Sequence, residues 1–228
     1  MSVYVISDLH LSFGADKPMN IFRGWDNYTE RLEKNWKSMV QPGDTVVLGG
    51  DLSWSIKIEN ALHDFEFIEN LPGKKLLIKG NHDLYWSTLS KMKSFLSLNG
   101  ITTVDFVHNN AFPVEKIAVC GTRGWFFDDP QSDKKIILRE AMRLETSILD
   151  AKKTGLEPVA FLHYPPVYGD RVCNEMFSVI KKHDIKRVFY GHIHGSGIRN
   201  AVRGMYEGIE FIATSCDVVG FTPIKVSE

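Results

Sequence analysis

Five short polar clusters contain aspartate, asparagine and histidine, the residue types that bind divalent metal ions in proteins. Carboxylate, imidazole and carboxamide groups suit first-row ions such as Mn, Fe and Zn, whereas four imidazoles would serve Mg or Ca poorly. In Asp-x-His and His-x-His, alternation along an extended segment would aim both side chains to one side, so that each pair could act as a clamp. The candidate metal ligands are Asp8, His10, Asp51, Asn81, His163, His192 and His194.

Each cluster taken alone has a simpler interpretation. Gly50-Asp51 is typical of a turn, His163 could be a satisfied core histidine, and Asp83 could cap a helix that starts after Gly80-Asn81-His82. The order of the clusters favours a site, because each one follows a predicted β-strand. Ligands bind beyond the carboxyl ends of strands in open α/β sheets, so one rim of the fold would collect all five clusters. The predicted strands before the clusters cover residues 3–6, 45–48, 75–78, 159–162 and 187–190.

The segments between these strands alternate between helical and extended patterns. Apolar residues at helical spacing predict helices at 28–39, 58–68, about 85–98, about 133–153 and 174–182. Further strands are predicted at 101–107, 111–114, 116–120 and 209–213, with antiparallel pairing toward the end of the chain. The β-α-β units of the first half favour parallel connections. We therefore predict an α/β sandwich of two packed sheets with helices on the outer faces.

Composition limits the classes of function. The 228 residues have a net charge of −1, which gives no general attraction to nucleic acid or acidic lipid. No apolar run approaches the ~18 residues of a membrane span, and the first residues lack the pattern of a signal peptide, so we expect a cytoplasmic protein without membrane contact. The three cysteines are far apart and predict neither a disulfide framework nor a thiolate metal site.

As an ordered set, the five clusters resemble the motifs of the calcineurin-like metallophosphoesterase superfamily, and they span most of the chain. The resemblance implies a four-layer α/β-β/α sandwich of two mixed β-sheets flanked by helices, as a single domain over residues 1–228. It also implies two metal ions bridged by Asp51, with His82 facing the substrate. One ion would be bound by Asp8, His10, Asp51 and His194, and the other by Asp51, Asn81, His163 and His192.

The motifs resemble those of some members of the superfamily more than those of others. Ser/Thr protein phosphatases carry an arginine-containing extension after the Gly-Asp motif and Arg-Gly-Asn-His-Glu at the third motif. Here Leu52-Ser53-Trp54 follows Asp51, and the third motif begins at Lys79 and ends at Asp83. The carboxylate that often supports the catalytic histidine also has no clear counterpart. The chain instead resembles the compact bacterial phosphohydrolases.

The expected function is hydrolysis of phosphomonoesters or phosphodiesters by a metal-bridging hydroxide. The expected centre has a net charge of about +1, because two divalent ions outweigh the carboxylates of Asp8 and Asp51 and one hydroxide. This positive charge attracts a phosphate ester. His82 would protonate the leaving alkoxide or stabilise the transition state. The alternatives are a non-catalytic metal-binding interaction module and a small nuclease. The intact ligand set and His82 weigh against the first, and the near-neutral charge weighs against nucleic acid as a partner.

The expected partner is a small phosphorylated substrate, with nucleotide-like compounds included, and the oligomeric state stays open. The candidate substrate contacts are Asn81, Arg123, Trp54 and Trp86. Aromatic rings near the motifs, including Trp125-Phe126-Phe127, could stack on a planar group or simply pack the rim. The connection over residues 13–26 could be a lid or a passive surface loop. His63, His108 and His183 are interpreted as structural or exposed.

Overall fold

Helices and strands alternate through most of the structure, a computed structural model that describes residues 1–125 and 134–226. The helices are α1 (Tyr28–Met39), α2 (Ile58–Glu69), α3 (Leu89–Leu98), α4 (Lys134–Lys152) and α5 (Asn174–Lys182). The strands are β1 (Val3–Ile6), β2 (Thr45–Leu48), β3 (Lys74–Leu77), β4 (Val104–Phe106), β5 (Phe112–Val114), β6 (Ile117–Thr122), β7 (Glu157–Leu162), β8 (Val167–Tyr168), β9 (Arg171–Val172), β10 (Arg187–Tyr190), β11 (Gly204–Tyr206), β12 (Ile209–Ala213) and β13 (Ile224–Lys225). Short 3₁₀ helices lie at Met19–Ile21 and Gly195–Arg199.

Two mixed sheets form the centre of the fold. The first has the order β13-β1-β2-β3-β4, and its last four strands run parallel. The second has the order β11-β12-β10-β7-β6-β5, with four parallel strands flanked by antiparallel β11 and β5. Parallel strands joined by helical crossovers end at the same edge, so each sheet presents its carboxyl ends along one rim.

The alternation of side chains along β1 shows how the layers form. Val3 and Val5 pack between the two sheets against residues such as Phe161 of β7, whereas Tyr4 and Ile6 point to the helices on the other face. Helices α1, α2 and α3 cover the first sheet, and α4 and α5 cover the second. The predicted four-layer sandwich is confirmed. Within the described residues, no helix combines the length and the apolar character that a membrane crossing requires.

The third helix begins later than the pattern predicts. It starts at Leu89, and Thr88 caps it by accepting a hydrogen bond from the Lys91 backbone N–H over 3.4 Å. Tyr85 is buried in the core and Trp86 packs edge-on against Phe106 with 5.1 Å between ring centroids, so this segment forms a turn instead. The predicted starting residue of the fourth helix, Asp133, lies outside the described residues, as do Phe126 and Phe127.

Candidate metal centre

The seven candidate ligands meet where the two sheets present the carboxyl ends of their strands. They follow β1, β2 and β3 in the first sheet and β7 and β10 in the second. β1, β2 and β3 are neighbours, as are β7 and β10, so the polar loops stand side by side. The structure therefore brings these side chains together at the strand ends, where ligands bind in open α/β sheets.

The local backbone differs from the extended clamp predicted for Asp-x-His. β1 ends at Ile6, and Asp8 and His10 have φ angles of 61° and 47°, in the left-handed region. Asp51 and His192 share this conformation, with φ of 52° and 68°. Such residues cost about 1–3 kcal/mol each and persist where the surrounding structure holds them. Left-handed turns, and not strand alternation, therefore aim these side chains at the rim.

Two glycines allow the motif loops to approach closely. Gly50 has φ of +96°, and a side-chain carbon there would lie 2.7 Å from His163 Nδ1. A side-chain carbon at Gly80 would overlap the Asp51 side chain. Any larger residue at either position would push the ligand loops apart.

The first cluster of ligand atoms joins the loop after β1 to the loop after β10. His10 Nε2 lies 3.3 Å from His194 Nε2, which lies 3.3 Å from Asp8 Oδ1. One ligand atom from each of the three side chains falls within 4.8 Å of the others. Asp8 and His10 are buried and His194 is half-buried.

The second cluster lies beside it. Asn81 Oδ1 is 2.7 Å from His163 Nε2 and 2.9 Å from His192 Nδ1. Asp51, His163 and His192 also place one ligand atom each within 4.8 Å of the others. Asp51 belongs to the second group, with its Oδ2 3.5 Å from His163 Nε2, and the same oxygen lies 3.9 Å from His10 Nε2 of the first group.

The hydrogen bonds behind the imidazoles fit metal binding. His163 Nδ1 donates to the Gly49 carbonyl over 3.1 Å, and His194 Nδ1 donates to Asp217 Oδ1 over 2.8 Å. Each bond leaves Nε2 free of its proton when the imidazole is neutral, and such outer bonds typically orient metal-ligating histidines. In the described part of the chain no lysine or arginine pairs with the buried carboxylates of Asp8 and Asp51. The donor set therefore fits two cations.

The pKa values of the histidines also fit metal binding. Burial lowers the pKa of His10 and of His192 to about 3, so both imidazoles are neutral and can donate lone pairs. Burial alone would also lower the pKa of His194, but the Asp8 and Asp217 carboxylates outweigh it and raise that pKa to about 10. A metal ion binding to the empty protein would therefore displace a proton from His194.

Asp217 is a site residue that no sequence motif identifies, because it belongs to none of the five clusters. Replacing Asp217 with asparagine is expected to weaken metal affinity about 10- to 100-fold, since the amide orients and polarises His194 less well. Competition with a fluorescent chelator would measure the affinity. Unchanged affinity in a variant whose metal-free unfolding midpoint matches the wild type would contradict this role.

Asp83 braces the loops and does not cap a helix. Its fully buried carboxylate accepts backbone N–H bonds from Asp51 and Leu52, both over 2.9 Å, and from Gly80 over 2.7 Å. These bonds connect the loops after β2 and β3, which carry Asp51 and Asn81. The carboxylate thus holds two ligand loops in one arrangement.

Asp83→Asn is expected to lower the free energy of unfolding by about 2–4 kcal/mol, because the amide leaves buried N–H groups facing another donor. Urea unfolding of the metal-free protein would measure the loss. Asp105→Asn is the control, since Asp105 forms a half-exposed ion pair with Lys93 and accepts one hydrogen bond, from the adjacent Phe106 N–H, so its loss should change stability by about 1 kcal/mol or less. Equal stability of the two variants would show that Asp83 does not brace the loops.

His82 lies between the ligands and the open cleft. Its backbone N–H donates to Asp51 Oδ1 over 2.8 Å, and its ring centroid lies 4.3 Å from that of Trp54. Among the described residues, no carboxylate hydrogen-bonds to its ring. Burial lowers the pKa of His82, with a further contribution from His163. Packing against Trp54, which also stacks on His10 at 4.7 Å and 20°, positions the ring.

A cleft of about 490 Å³ opens over the first cluster. His10, His82 and His194 lie in its walls together with Trp54, one of the predicted substrate contacts. Gly195, Ser196 and Asp217 line another side, and the connection over residues 13–26 supplies the remaining part of the wall. Its contributions are Met19, Phe22, Arg23 and Trp25. This connection is therefore part of the cleft, and its action as a lid stays a prediction.

The other predicted substrate contacts lie apart from this cleft. Trp86 packs on Phe106, and Arg123 lines a separate pocket. His63 is exposed on α2, whereas His183 follows α5 and its Nε2 lies 2.9 Å from Glu145 Oε1. Their roles remain those of an exposed and a structural histidine.

Comparison with known proteins identifies relatives of this chain. The family model for Calcineurin-like phosphoesterase matches residues 1–196. The Gene 66 protein of Mycobacterium phage L5 is 38% identical over 85 residues, which are 36% of this chain and 40% of that protein. The match thus covers less than half of that relative's length.

Solved structures share the fold over nearly the whole chain. The protein TT1561 of Thermus thermophilus superposes with a TM-score of 0.60 at 13% identity, covering 98% of this chain and 96% of that one. A protein of unknown function from Aquifex aeolicus has a TM-score of 0.52 at 18% identity, covering 98% and 95%. A phosphopantetheinyl hydrolase from Mycobacterium tuberculosis has a TM-score of 0.53 at 14% identity, covering 94% and 88%. At these identities the likeness shows the fold alone.

Proposed function

Because this chain belongs to the calcineurin-like phosphoesterase family, we propose that it hydrolyses phosphate esters with two divalent metal ions. The ions would be Mn, Fe or Zn, which match a donor set rich in imidazole. The proposed ligands of the first ion are Asp8, His10, Asp51 and His194. The proposed ligands of the second ion are Asp51, Asn81, His163 and His192.

The position of one carboxylate oxygen carries this proposal. Asp51 Oδ2 lies 3.9 Å from His10 Nε2 in the first cluster and 3.5 Å from His163 Nε2 in the second. An oxygen shared in this way suits a bridging ligand between two cations. When bound, such ions supply Lewis acidity toward phosphate oxygens and lower the pKa of a shared water.

The residues around the ligands would complete the reaction. His82 faces the cleft next to the ligands, where its imidazole N–H can donate to the oxygen that leaves phosphorus. The bond from its backbone N–H to Asp51 connects its position to that of the proposed bridging carboxylate. The ring of Trp54 packs against His82 and keeps water from one side of it.

The proposed substrate is a small phosphorylated compound with an apolar or planar leaving group, nucleotide-like compounds included. The cleft walls support this choice, because Trp25, Trp54, Met19 and Phe22 offer ring faces and apolar atoms beside the ligands. Arg23 in the same wall offers a guanidinium to a further acidic group.

The reaction can be tested by removing the metals and adding back Mn, Fe, Zn, Mg or Ni singly. We expect the first three ions to restore turnover of p-nitrophenyl phosphate or of bis-p-nitrophenyl phosphate, and the preferred ester identifies the subclass. Absence of turnover with every ion would contradict the proposal and favour an interaction module. Faster cleavage of a short oligonucleotide than of either ester would favour a nuclease.

A further inference from the structure

A second pocket opens on the same rim, one strand outward from the metal ligands in each sheet. Lys79 follows β3 and His108 follows β4. Thr122 is the last residue of β6, Arg123 comes directly after it, and α4 closes the side of the pocket. Its volume is about 220 Å³, which has room for an oxyanion and several waters of about 30 Å³ each. It shares no lining residue with the cleft over the first cluster.

Positive charge dominates this pocket. Its charged lining residues are Lys79, Arg123, Arg139, Arg143 and Glu140. Glu140 is fully buried, and it accepts hydrogen bonds from Thr122 Oγ1 and from Arg143 Nη1, each over 2.8 Å. The single carboxylate is therefore satisfied internally, and it holds the Arg143 guanidinium in place.

The other three cations have no acidic partner among the residues that the structure describes. Across residues 1–125 and 134–226, no carboxylate lies within the 4.0 Å ion-pair distance of Lys79, Arg123 or Arg139. Arg123 is held over the Trp125 ring, 5.1 Å from its centroid. Burial and the Arg143 charge lower the pKa of His108, so the imidazole adds a neutral hydrogen-bonding group. A bound anion would offset the repulsion among these cations through charge-assisted hydrogen bonds.

We propose that this pocket binds a phosphate-like dianion next to the metal centre. A dianion matches the excess of positive charge better than a carboxylate, and guanidinium forks match the geometry of phosphate oxygens. The pocket is physically connected to the ligand loops. Lys79 immediately precedes Gly80-Asn81, and the Tyr164 N–H next to His163 donates to the Arg123 carbonyl over 2.8 Å.

The dianion could be a second phosphate group of the substrate or free phosphate. The first of these sources rests on the proposed function, whereas binding itself does not. Binding is therefore measured first, without turnover, by calorimetric titration of the metal-loaded protein with inorganic phosphate. We expect a site in addition to the metal centre, and no such site with acetate.

Arg123→Gln/Arg139→Gln should weaken phosphate binding at the additional site about tenfold or more, because two charge-assisted contacts are lost. Arg139→Gln alone, at an exposed helix position, serves as a milder variant if the double one folds poorly. Lys116→Gln/Lys152→Gln is the control, since it removes the same charge from exposed residues outside the pocket. A wild type without the additional site, or equal losses in pocket and control variants, would overturn the proposal.

Kinetics then separate the two sources of the dianion. If the dianion is a second phosphate on the substrate, the double variant should lose kcat/KM for adenosine 3′,5′-bisphosphate more than for p-nitrophenyl phosphate. The ratio of the two kcat/KM values should fall about tenfold or more. Free phosphate predicts instead that added phosphate alters kcat for p-nitrophenyl phosphate in the wild type and less so in the variant. Failure of hydrolysis altogether would reject the proposed function and leave the binding result standing.

Discussion

Replacing His82 with asparagine is expected to lower kcat by about 10²–10⁴-fold while the metal content stays unchanged. The imidazole faces the cleft beside the ligands, and it is the residue we propose as the donor to the leaving oxygen. The backbone bond from His82 to Asp51 does not involve the side chain, so the substitution leaves the proposed bridging carboxylate in place. Metal analysis and steady-state kinetics on the same preparation measure both quantities.

His63→Asn is the matched control for this variant. His63 lies on α2 with 64% of its side chain exposed, so the same chemical change there should leave kcat unaffected. Full activity of His82→Asn with normal metal content would exclude a catalytic role for His82. Loss of activity together with loss of metal would instead assign His82 to the ligands.

Asp51→Asn is expected to abolish tight binding of at least one metal ion and to reduce activity on the order of 10³-fold or more. Its Oδ2 lies between the two clusters, and an amide oxygen there carries no charge with which to bridge two cations. Asparagine can still accept the His82 backbone bond, so the loop geometry should survive. Metal analysis after dialysis and kinetics with added metal would measure the two effects.

Although Asp51→Asn should weaken metal binding and activity, it should not destabilise the metal-free protein at neutral pH. Burial, with the nearby charges of Asp83 and Asp8, raises the pKa of Asp51 well above 3.8. An acid whose folded pKa is raised stabilises the fold at low pH and loses that stability as pH rises from the unfolded pKa through the folded one. At neutral pH the metal-free variant should therefore be at least as stable as the metal-free wild type, with the difference disappearing below about pH 4.

Urea unfolding with and without metal measures this reversal. Added metal should stabilise the wild type more than Asp51→Asn, since stabilisation follows the affinity for the folded state. Asp184→Asn is the matched control, because Asp184 is exposed and has a similar left-handed backbone with φ of 57°. A metal-free Asp51→Asn less stable than the wild type would mean that Asp51 supports the fold itself.

The secondary structure was predictable where local pattern and burial agree. The predicted bounds of β1, β2 and β10 match the structure, because each is a short apolar run closed by a polar cluster. The predicted start of α3 was wrong, because Tyr85 has helical spacing in the sequence but packs edge-on against Phe65 at 5.6 Å. Tertiary packing overrides local propensity at such a position.

The sequence by itself determined which donors are present and that each follows a strand, and this order predicts both the family and the rim. The tertiary structure decided which side chains meet. His10 and His194 are 184 positions apart, and Asp217 and Trp25 reach the site without any motif of their own. Arg123, a predicted substrate contact, lines a second pocket. These contacts depend on the order of strands across two sheets and on left-handed turns at their ends, which local composition does not encode.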